Sequence, residues 1–193
     1  MKKLRSLRHL TASLLTAGML TAPLLSTPIL AALGTAIAPT AVLAAANKGK
    51  SGLPLPRFVS LKASKVNMRV GPGREYSVDW MFTKRGLPLE ILQEYDNWRK
   101  VRDSDGAEGW IVQTLLTGKR TALVSPWLKD EGGMVELHSK PDTSAPVVAR
   151  MEAGVLAEID ACENGWCEIQ ARDWSGYARQ VTLWGVYPDE KID

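Results

Sequence analysis

The feature that most constrains the fold is an internal repeat, in which two halves of the chain present similar residues in the same order. Asp96-Asn97-Trp98-Arg99-Lys100-Val101 corresponds to Asn164-Gly165-Trp166-Cys167-Glu168-Ile169 at an offset of 68 residues. At offsets between 67 and 69, further matches are Met68 with Leu137, Pro72 with Pro141, Gly86 with Gly154, Glu90 with Glu158, Ile91 with Ile159, Gly109 with Gly176, Trp110 with Tyr177 and Gln113 with Gln180. Insertions in surface turns explain the small drift. The repeat predicts two similar domains, 57–120 and 121–193.

Each repeat has the pattern of a small all-β domain. Short apolar runs alternate with turn residues, and no stretch keeps a helical period. In the first repeat we expect strands at 58–61, 65–70, 87–91, 98–102 and 109–112. We expect a long loop from 71 to 86 and a short helical turn at 115–116 that closes the barrel. Leu87, Leu89 and Ile91 alternate and should face one core.

The first repeat resembles the bacterial SH3-like domain family. The resemblance rests on Val66-Asn67-Met68-Arg69, Gly71-Pro72-Gly73, Gly86, Trp98 with Val101, Gly109-Trp110-Ile111 and Leu115. The second repeat is a weaker match that keeps Leu137, Pro141, Gly154, Ile159, Trp166, Ile169, Gly176 and Tyr177. It has Glu136, His138, Lys140 and Asp142 where the first repeat has Asn67, Arg69, Gly71 and Gly73.

This resemblance implies two tandem, partly open SH3-like barrels of five or six strands each. It also implies use outside the cytoplasm, because such domains often accompany cell-wall peptidases and amidases. There they bind wall peptide or position the enzyme. The family also contains many members without a known ligand, so the resemblance implies a fold more directly than a function.

The N-terminus has the three parts of a secretory signal, which we expect to span residues 1–46. A basic stretch at 1–9 precedes an apolar stretch, and small residues at 42–46 offer cleavage after Ala44 or Ala46. A retained membrane anchor is the alternative, but Pro23, Pro28 and Pro39 disfavour one long helix. The sequence therefore predicts a periplasmic or secreted protein. The Lys-, Gly-, Ser- and Pro-rich segment 47–56 is expected to be a linker.

The charge balance argues against nucleic acid and anionic membranes as partners. The formal net charge is +3, but Lys2, Lys3, Arg5 and Arg8 lie within the signal, and without these four it is −1. No basic stripe remains in the exported part, so its partner is not expected to be a polyanionic surface.

The two cysteines, Cys162 and Cys167, lie on either side of Asn164-Gly165. Asn-Gly favours a two-residue type I′ turn, which would place Cys162 opposite Cys167 in a non-hydrogen-bonded pair. The Cα separation of about 4.5 Å in such a pair allows a disulfide. We predict a structural disulfide. A redox pair usually has two residues between its cysteines, and a zinc site needs more ligands.

Nothing in the exported part predicts catalysis, a metal or a cofactor. Its single histidine, His138, sits in a predicted strand edge, and no nucleophile and orienting acid accompany it in a recognisable pattern. Asp103-Ser104-Asp105-Gly106 weakly resembles a calcium loop, but the later acidic ligand is missing, so a hairpin turn is expected. We predict a non-enzymatic protein, with a hydrolase as a distant alternative.

Exposed aromatic residues suggest function by surface binding. All seven tryptophans and all four tyrosines lie after the signal, and such residues favour half-exposed binding sites. The predicted groove for an extended peptide comprises Arg69, Tyr76, Trp80, Tyr95, Trp98 and Trp110, with Arg74 and Glu75 as further polar contacts. Trp98 and Trp110 could instead be packing residues. The ligand is expected to be cell-wall peptide or, alternatively, the extended peptide of a partner protein that uses the chain as an adaptor.

Overall fold

A computed structural model describes residues 47–193, so the expected signal peptide lies outside the described residues. Between Asn47 and Asp193 the secondary structure consists of β-strands and three 3-10 turns of three residues each. No helix in this range is long and apolar enough to cross a membrane. The all-β prediction is confirmed.

The first barrel is a seven-stranded antiparallel sheet with the order β5-β4-β8-β7-β6-β3-β9. Its strands are β3 (Arg57–Leu61), β4 (Val66–Arg69), β5 (Val78–Phe82), β6 (Pro88–Tyr95), β7 (Trp98–Arg102), β8 (Glu108–Val112) and β9 (Leu116–Thr117). A 3-10 turn at Gln113–Leu115 precedes β9 and returns the chain to β3, close to where the sequence predicted a helical turn.

The second barrel repeats this order as β12-β11-β15-β14-β13-β10-β16. Its strands are β10 (Thr121–Val124), β11 (Met134–His138), β12 (Val147–Glu152), β13 (Leu156–Glu163), β14 (Trp166–Ala171), β15 (Trp174–Arg179) and β16 (Leu183–Trp184). The same strand order in both halves gives the sequence repeat its structural meaning: two tandem SH3-like barrels.

Each barrel encloses its own apolar core. Leu89 and Ile91 are buried as the alternating pattern predicted, and Leu87 is partly buried beside them. Close packing requires glycine at the matched positions 109 and 176. A Cβ on Gly109 would lie 2.5 Å from Met68 Cγ, and one on Gly176 would lie 2.6 Å from the His138 carbonyl oxygen. These glycines let β8 and β15 approach the neighbouring strand closely.

The prediction of a long loop from 71 to 86 is wrong, because Val78–Phe82 forms β5 and pairs with β4. Four of its five residues are exposed, since β5 is the edge strand of the sheet and only Phe82 reaches the core. A strand exposed on both faces has no alternating hydrophobic pattern, which is the signal that identified the other strands.

The segment 47–56, expected to be a linker, instead folds against the first barrel. Strand β1 (Asn47–Lys48) pairs with β2 (Pro54–Leu55) in a small hairpin. The amide and hydroxyl of Ser51, at its tip, donate hydrogen bonds to the buried Glu94 carboxylate at 2.8 and 2.7 Å. Arg57 Nη2 lies 2.7 Å from Glu94 Oε1, so one buried carboxylate ties the hairpin to β3 and β6.

Removing the Glu94 charge is expected to destabilise the protein. Burial alone would raise the pKa of Glu94, but the hydrogen bonds from Ser51 and Arg57 and the charge of Arg99 outweigh it and lower the pKa from 4.5 to about 2. That difference corresponds to about 3 kcal/mol of stability, present above pH 4.5 and lost as the pH falls toward 2. Urea unfolding of Glu94→Gln should therefore show a loss of about 2–3 kcal/mol at pH 7, with the two proteins converging at low pH.

Glu136→Gln is the matched control, because Glu136 pairs with Arg150 on the exposed surface. Its loss should stay within about 1 kcal/mol at every pH. An equal loss in both variants would show that the Glu94 contacts do not stabilise the hairpin.

The disulfide prediction is confirmed. Cys162 and Cys167 are bonded across the β13–β14 hairpin, with their Cα atoms 4.1 Å apart. Asn164 and Gly165 have φ values of 52° and 79°, as a type I′ turn requires. Cys162 also exchanges backbone hydrogen bonds of 2.9 Å with Ile192, so the hairpin holds the C-terminal segment.

The C-terminal segment and the start of β10 join the two barrels. Tyr187 donates a hydrogen bond of 2.8 Å to Glu90, a buried carboxylate of the first barrel that also accepts from Arg102 Nε at 3.0 Å. The rings of Trp184 and Tyr187 lie 5.2 and 4.7 Å from that of Phe58. At the other side of the junction, Thr121 of the second barrel contacts the first. Its Oγ1 donates a hydrogen bond of 2.6 Å to the Gly86 carbonyl oxygen and lies 2.7 Å from Ser60 Oγ.

Tyr187→Phe is expected to lower the free energy of unfolding by about 1–3 kcal/mol, because it leaves an acceptor of buried Glu90 unpaired. Burial, then the hydrogen bond and charge of Glu90, raise the pKa of Tyr187 above its usual 10. The contribution is therefore complete below pH 10 and declines above it, where the unfolded chain loses the phenolic proton first. Thermal unfolding between pH 7 and 11 should show the stabilities of wild type and variant converging above pH 10.

Tyr95→Phe is the control, because Tyr95 is exposed, and its stability should match that of wild type at every pH. If Tyr187→Phe were as stable as wild type at pH 7, the proposed role of Tyr187 would be contradicted.

Candidate functional site

The outer surface of the first barrel carries a cluster of aromatic and cationic side chains. Along β7 and β8, Arg99, Val101 and Ile111 turn inward and are buried. Their neighbours therefore point outward. We call the outward cluster the aromatic face, formed by Arg69, Tyr95, Trp98, Lys100 and Trp110.

The register of the sheet brings these residues together. Trp110 is paired with Arg69 of β4 on one side and with Lys100 of β7 on the other. The ring of Tyr95 meets that of Trp110 edge to face, with centroids 6.5 Å apart. Tyr95 is also paired with Trp98 across the β6–β7 hairpin. Four of the six residues predicted for the groove therefore lie on one continuous surface.

Tyr76 joins this surface through Arg69, whose Nη1 donates a hydrogen bond to the Tyr76 carbonyl oxygen. The Tyr76 ring covers Gly71, where a Cβ would lie 2.4 Å from the ring. Gly71 is thus required by the close approach of the tyrosine. The loop after β4 is held beside the aromatic face by this packing and by Arg69.

Trp80 lies elsewhere. It is paired with Met68, a core residue, so its side chain is on the opposite side of the sheet from Trp110. Its side chain is 58% exposed and lines a cleft of about 300 Å³ with Pro126, Lys129 and Gly154 of the second barrel. The structure therefore places Trp80 apart from the other predicted groove residues.

The aromatic face combines its rings with the guanidinium of Arg69, while Lys50 and Lys100 beside the rings are each paired with a neighbouring carboxylate. Tyr95 is 49% exposed, and the half-buried Trp98 and Trp110 present fixed rings beside it. Lys50 Nζ lies 5.7 Å from the Tyr95 ring centroid, and Lys100 Nζ lies 2.7 Å from Glu108 Oε2. Rings of this kind stack on flat or apolar groups, and the cations bind carboxylates.

The second barrel has a corresponding surface that sequence reasoning did not single out. Repeat positions equivalent to Arg69, Tyr95, Trp98, Lys100 and Trp110 hold His138, Glu163, Trp166, Glu168 and Tyr177. The last four line a cleft of about 430 Å³. Its charge is reversed, because Glu168 stands opposite Tyr177 where Lys100 stands opposite Trp110. Burial, together with the Glu168 carboxylate, raises the pKa of Tyr177. The repeat offsets could have revealed this second surface, because they match its residues to those of the aromatic face.

His138 is a buried structural residue. Its Nδ1 lies 3.0 Å from the Ala145 carbonyl oxygen, and its ring meets Trp166 edge to face at 5.5 Å. Among residues 47–193 no group of three or more histidine, cysteine or acidic side chains is placed to hold a metal ion. Asp103 accepts hydrogen bonds from the amides of Asp105 and Ala107 and so forms the expected hairpin turn.

Comparison with known proteins identifies the repeat unit. The sequence profile of the family described as bacterial SH3 domain matches residues 62–118 and 131–185. The chain is 25% identical over 122 residues to the putative N-acetylmuramoyl-L-alanine amidase YrvJ of Bacillus subtilis (strain 168), an alignment that covers 61% of this chain and 23% of YrvJ.

Two solved structures, NlpC1 and NlpC2 from Trichomonas vaginalis, are similar to the chain at 14% and 13% identity, with TM-scores of 0.31 and 0.28. The matches cover 70% and 67% of this chain and 48% of each of those chains. The chain thus spans less than a quarter of YrvJ and less than half of either structure. Since the family profile matches more than half of the sequence, in two blocks that coincide with the two barrels, the chain belongs to the bacterial SH3 domain family.

Proposed function

We propose that this protein is exported and binds the bacterial cell wall without catalysing a reaction, through the aromatic face of its first barrel. The ligand is the peptide part of peptidoglycan. On this proposal the protein works in the periplasm or outside the cell, as the expected signal peptide and the disulfide would suit.

Family membership and the named relative support an association with the wall. YrvJ is named as an amidase, and 23% of its length is aligned with this chain. The part of this chain that matches the family is made of SH3 barrels. On this proposal the similarity to YrvJ lies in the SH3 barrels, which bind. The amidase reaction in YrvJ's name is then not carried out by this chain.

The observation that carries the proposal is the aromatic face itself. Tyr95 and Trp110 form a fixed pair of rings, flanked by Arg69 and Lys100. A wall peptide offers a carboxylate for Arg69 and flat amide groups for the rings, whereas Lys100 is already paired with Glu108. Because strand pairing fixes these side chains before a ligand arrives, less conformational entropy is lost on binding.

Pull-down with purified peptidoglycan sacculi tests the proposal. We expect wild type to pellet with sacculi and Tyr95→Ala to bind about 5–30-fold more weakly, since an exposed aromatic contact contributes about 1–2 kcal/mol. Trp174→Ala is the matched control, because Trp174 is a similarly exposed aromatic residue (55%) on the second barrel. It should bind like wild type.

Absence of binding by wild type would overturn the wall-binding proposal. Equal losses of binding in Tyr95→Ala and Trp174→Ala would show that the aromatic face is not the binding site.

The edge strand β5 favours a second candidate function, that of an adaptor for another protein. Among residues 47–193 no strand pairs with its outer edge, and Val78, Trp80 and Met81 are exposed at 45%, 58% and 51%. An extended polypeptide can add to such an edge by backbone hydrogen bonds while its side chains pack on the apolar residues. On this alternative the protein does not pellet with sacculi.

Site-specific photo-crosslinking in the cell tests the adaptor candidate. A crosslinker in place of Met81 should capture one discrete partner, and Trp80→Ala in the same protein should reduce that adduct severalfold. A crosslinker in place of Val181, exposed at 63% on the second barrel, is the control and should not capture it. The adaptor function is refuted if the Met81 position gives no adduct, or the same adduct as the Val181 position.

A further inference from the structure

A cleft of about 650 Å³ opens between the two barrels and lies apart from the aromatic face. The first barrel contributes Lys62 and Arg85, and the connection contributes Lys119. The second barrel contributes Glu158, Gln170 and Arg172. We call this the interbarrel cleft.

The interbarrel cleft is strongly cationic. It is lined by four cationic side chains and one carboxylate, and Lys119 Nζ is paired with that carboxylate, Glu158 Oε1, at 2.6 Å. Within residues 47–193, no carboxylate lies within 4.0 Å of Lys62, Arg85 or Arg172. The net charge of the whole sequence without the four cations of the first ten residues is −1. Positive charge is therefore concentrated in a concave surface, where low-dielectric walls strengthen its field.

The junction between the barrels fixes this arrangement. Below the cationic side chains, the hydroxyl groups of Ser60 and Thr121 lie 2.7 Å apart and also bond to the carbonyls of Lys119 and Gly86. Gly86 packs so closely on the second barrel that a Cβ there would lie 3.3 Å from Leu156 Cδ2. The junction therefore fixes the backbone positions from which the exposed side chains of Lys62, Arg85 and Arg172 reach the cleft.

The backbone at Arg172 adds a second observation. Arg172 occupies the β14–β15 turn with φ 54°, a left-handed conformation that favours glycine or asparagine. An arginine there bears a local conformational cost that glycine or asparagine would not bear.

We propose that the interbarrel cleft binds a multivalent anion, whose phosphate or carboxylate groups contact Lys62, Arg85 and Arg172 together. Three unpaired cations held at one mouth suit several linked anionic groups better than a single monovalent ion. Guanidinium groups bind the oxygens of both phosphate and carboxylate, so the ligand class is a short chain of linked anionic groups, and two probes distinguish phosphate from carboxylate. This site goes beyond the proposed wall-peptide function and does not use the aromatic face.

Calorimetric titration of the purified protein with two probes, inorganic tripolyphosphate and a tri-glutamate peptide, tests the site. We expect at least one probe to bind at low salt and to weaken as salt screens the charges. The variant Lys62→Gln/Arg85→Gln/Arg172→Asn should bind that probe about tenfold more weakly or worse, since it removes all three unpaired charges. Asparagine is chosen at 172 because it tolerates the left-handed backbone.

The matched control is Lys65→Gln/Arg74→Gln/Lys140→Gln, which removes the same number of exposed positive charges outside the cleft. It should keep affinity within about twofold of wild type. Binding by neither probe, or an equal loss in both triple variants, would overturn the site. Binding of tripolyphosphate alone would show that the site prefers phosphate groups, and binding of the peptide alone would show that it prefers carboxylates.

Tyr95→Ala separates this inference from the proposed function. It is expected to bind the anionic probes like wild type, whatever its binding to sacculi. The same affinity loss in Tyr95→Ala as in the cleft variant would count against a distinct site.

Discussion

The hydrogen bond from Tyr187 to Glu90 crosses 97 residues of sequence and is central to how the two barrels are held together. Glu90 is buried, and an isolated buried carboxylate is very costly, so its partners Tyr187 and Arg102 have to stay in place. Since Tyr187 follows the last strand of the second barrel, satisfying Glu90 draws that barrel onto the first. The ring stacking on Phe58 and the Thr121 bond to Gly86 then set their orientation. The interbarrel cleft exists because of this constraint.

A hairpin on the first barrel and a disulfide in the second compensate for the small size of each barrel. Domains of about sixty residues bury a limited apolar core and are of marginal stability alone. The first barrel gains the hairpin 47–56 through Glu94, and the second gains the Cys162–Cys167 disulfide, to which Ile192 is attached. The first barrel is thus supported from outside its repeat unit, whereas the disulfide and Ile192 lie within the second.

Local patterns predicted the fold well, and pairings between distant residues could not be predicted. The spacing of Trp98, Gly109 and their counterparts indicated two barrels, and Asn164-Gly165 placed the cysteines opposite each other. Strand β5 was missed because an edge strand lacks alternation. The hairpin was missed because Ser51 meets Glu94 across 43 residues. The predicted groove joined Trp80 to Trp110, since only the register shows that they lie on opposite sides of the sheet.

The near-neutral charge of residues 47–193 conceals an uneven distribution of charge over the surface. The aromatic face of the first barrel has Arg69 and Lys100, its counterpart on the second barrel has Glu163 and Glu168, and the cleft between them has three unpaired cations. The two barrels therefore share the arrangement of an apolar core and differ in the charged residues on their surfaces. If the aromatic face and the interbarrel cleft both bind one polymer, as proposed, the overall affinity exceeds that of either contact alone. Such avidity depends on the distance between the sites, and the Tyr187–Glu90 junction keeps that distance fixed.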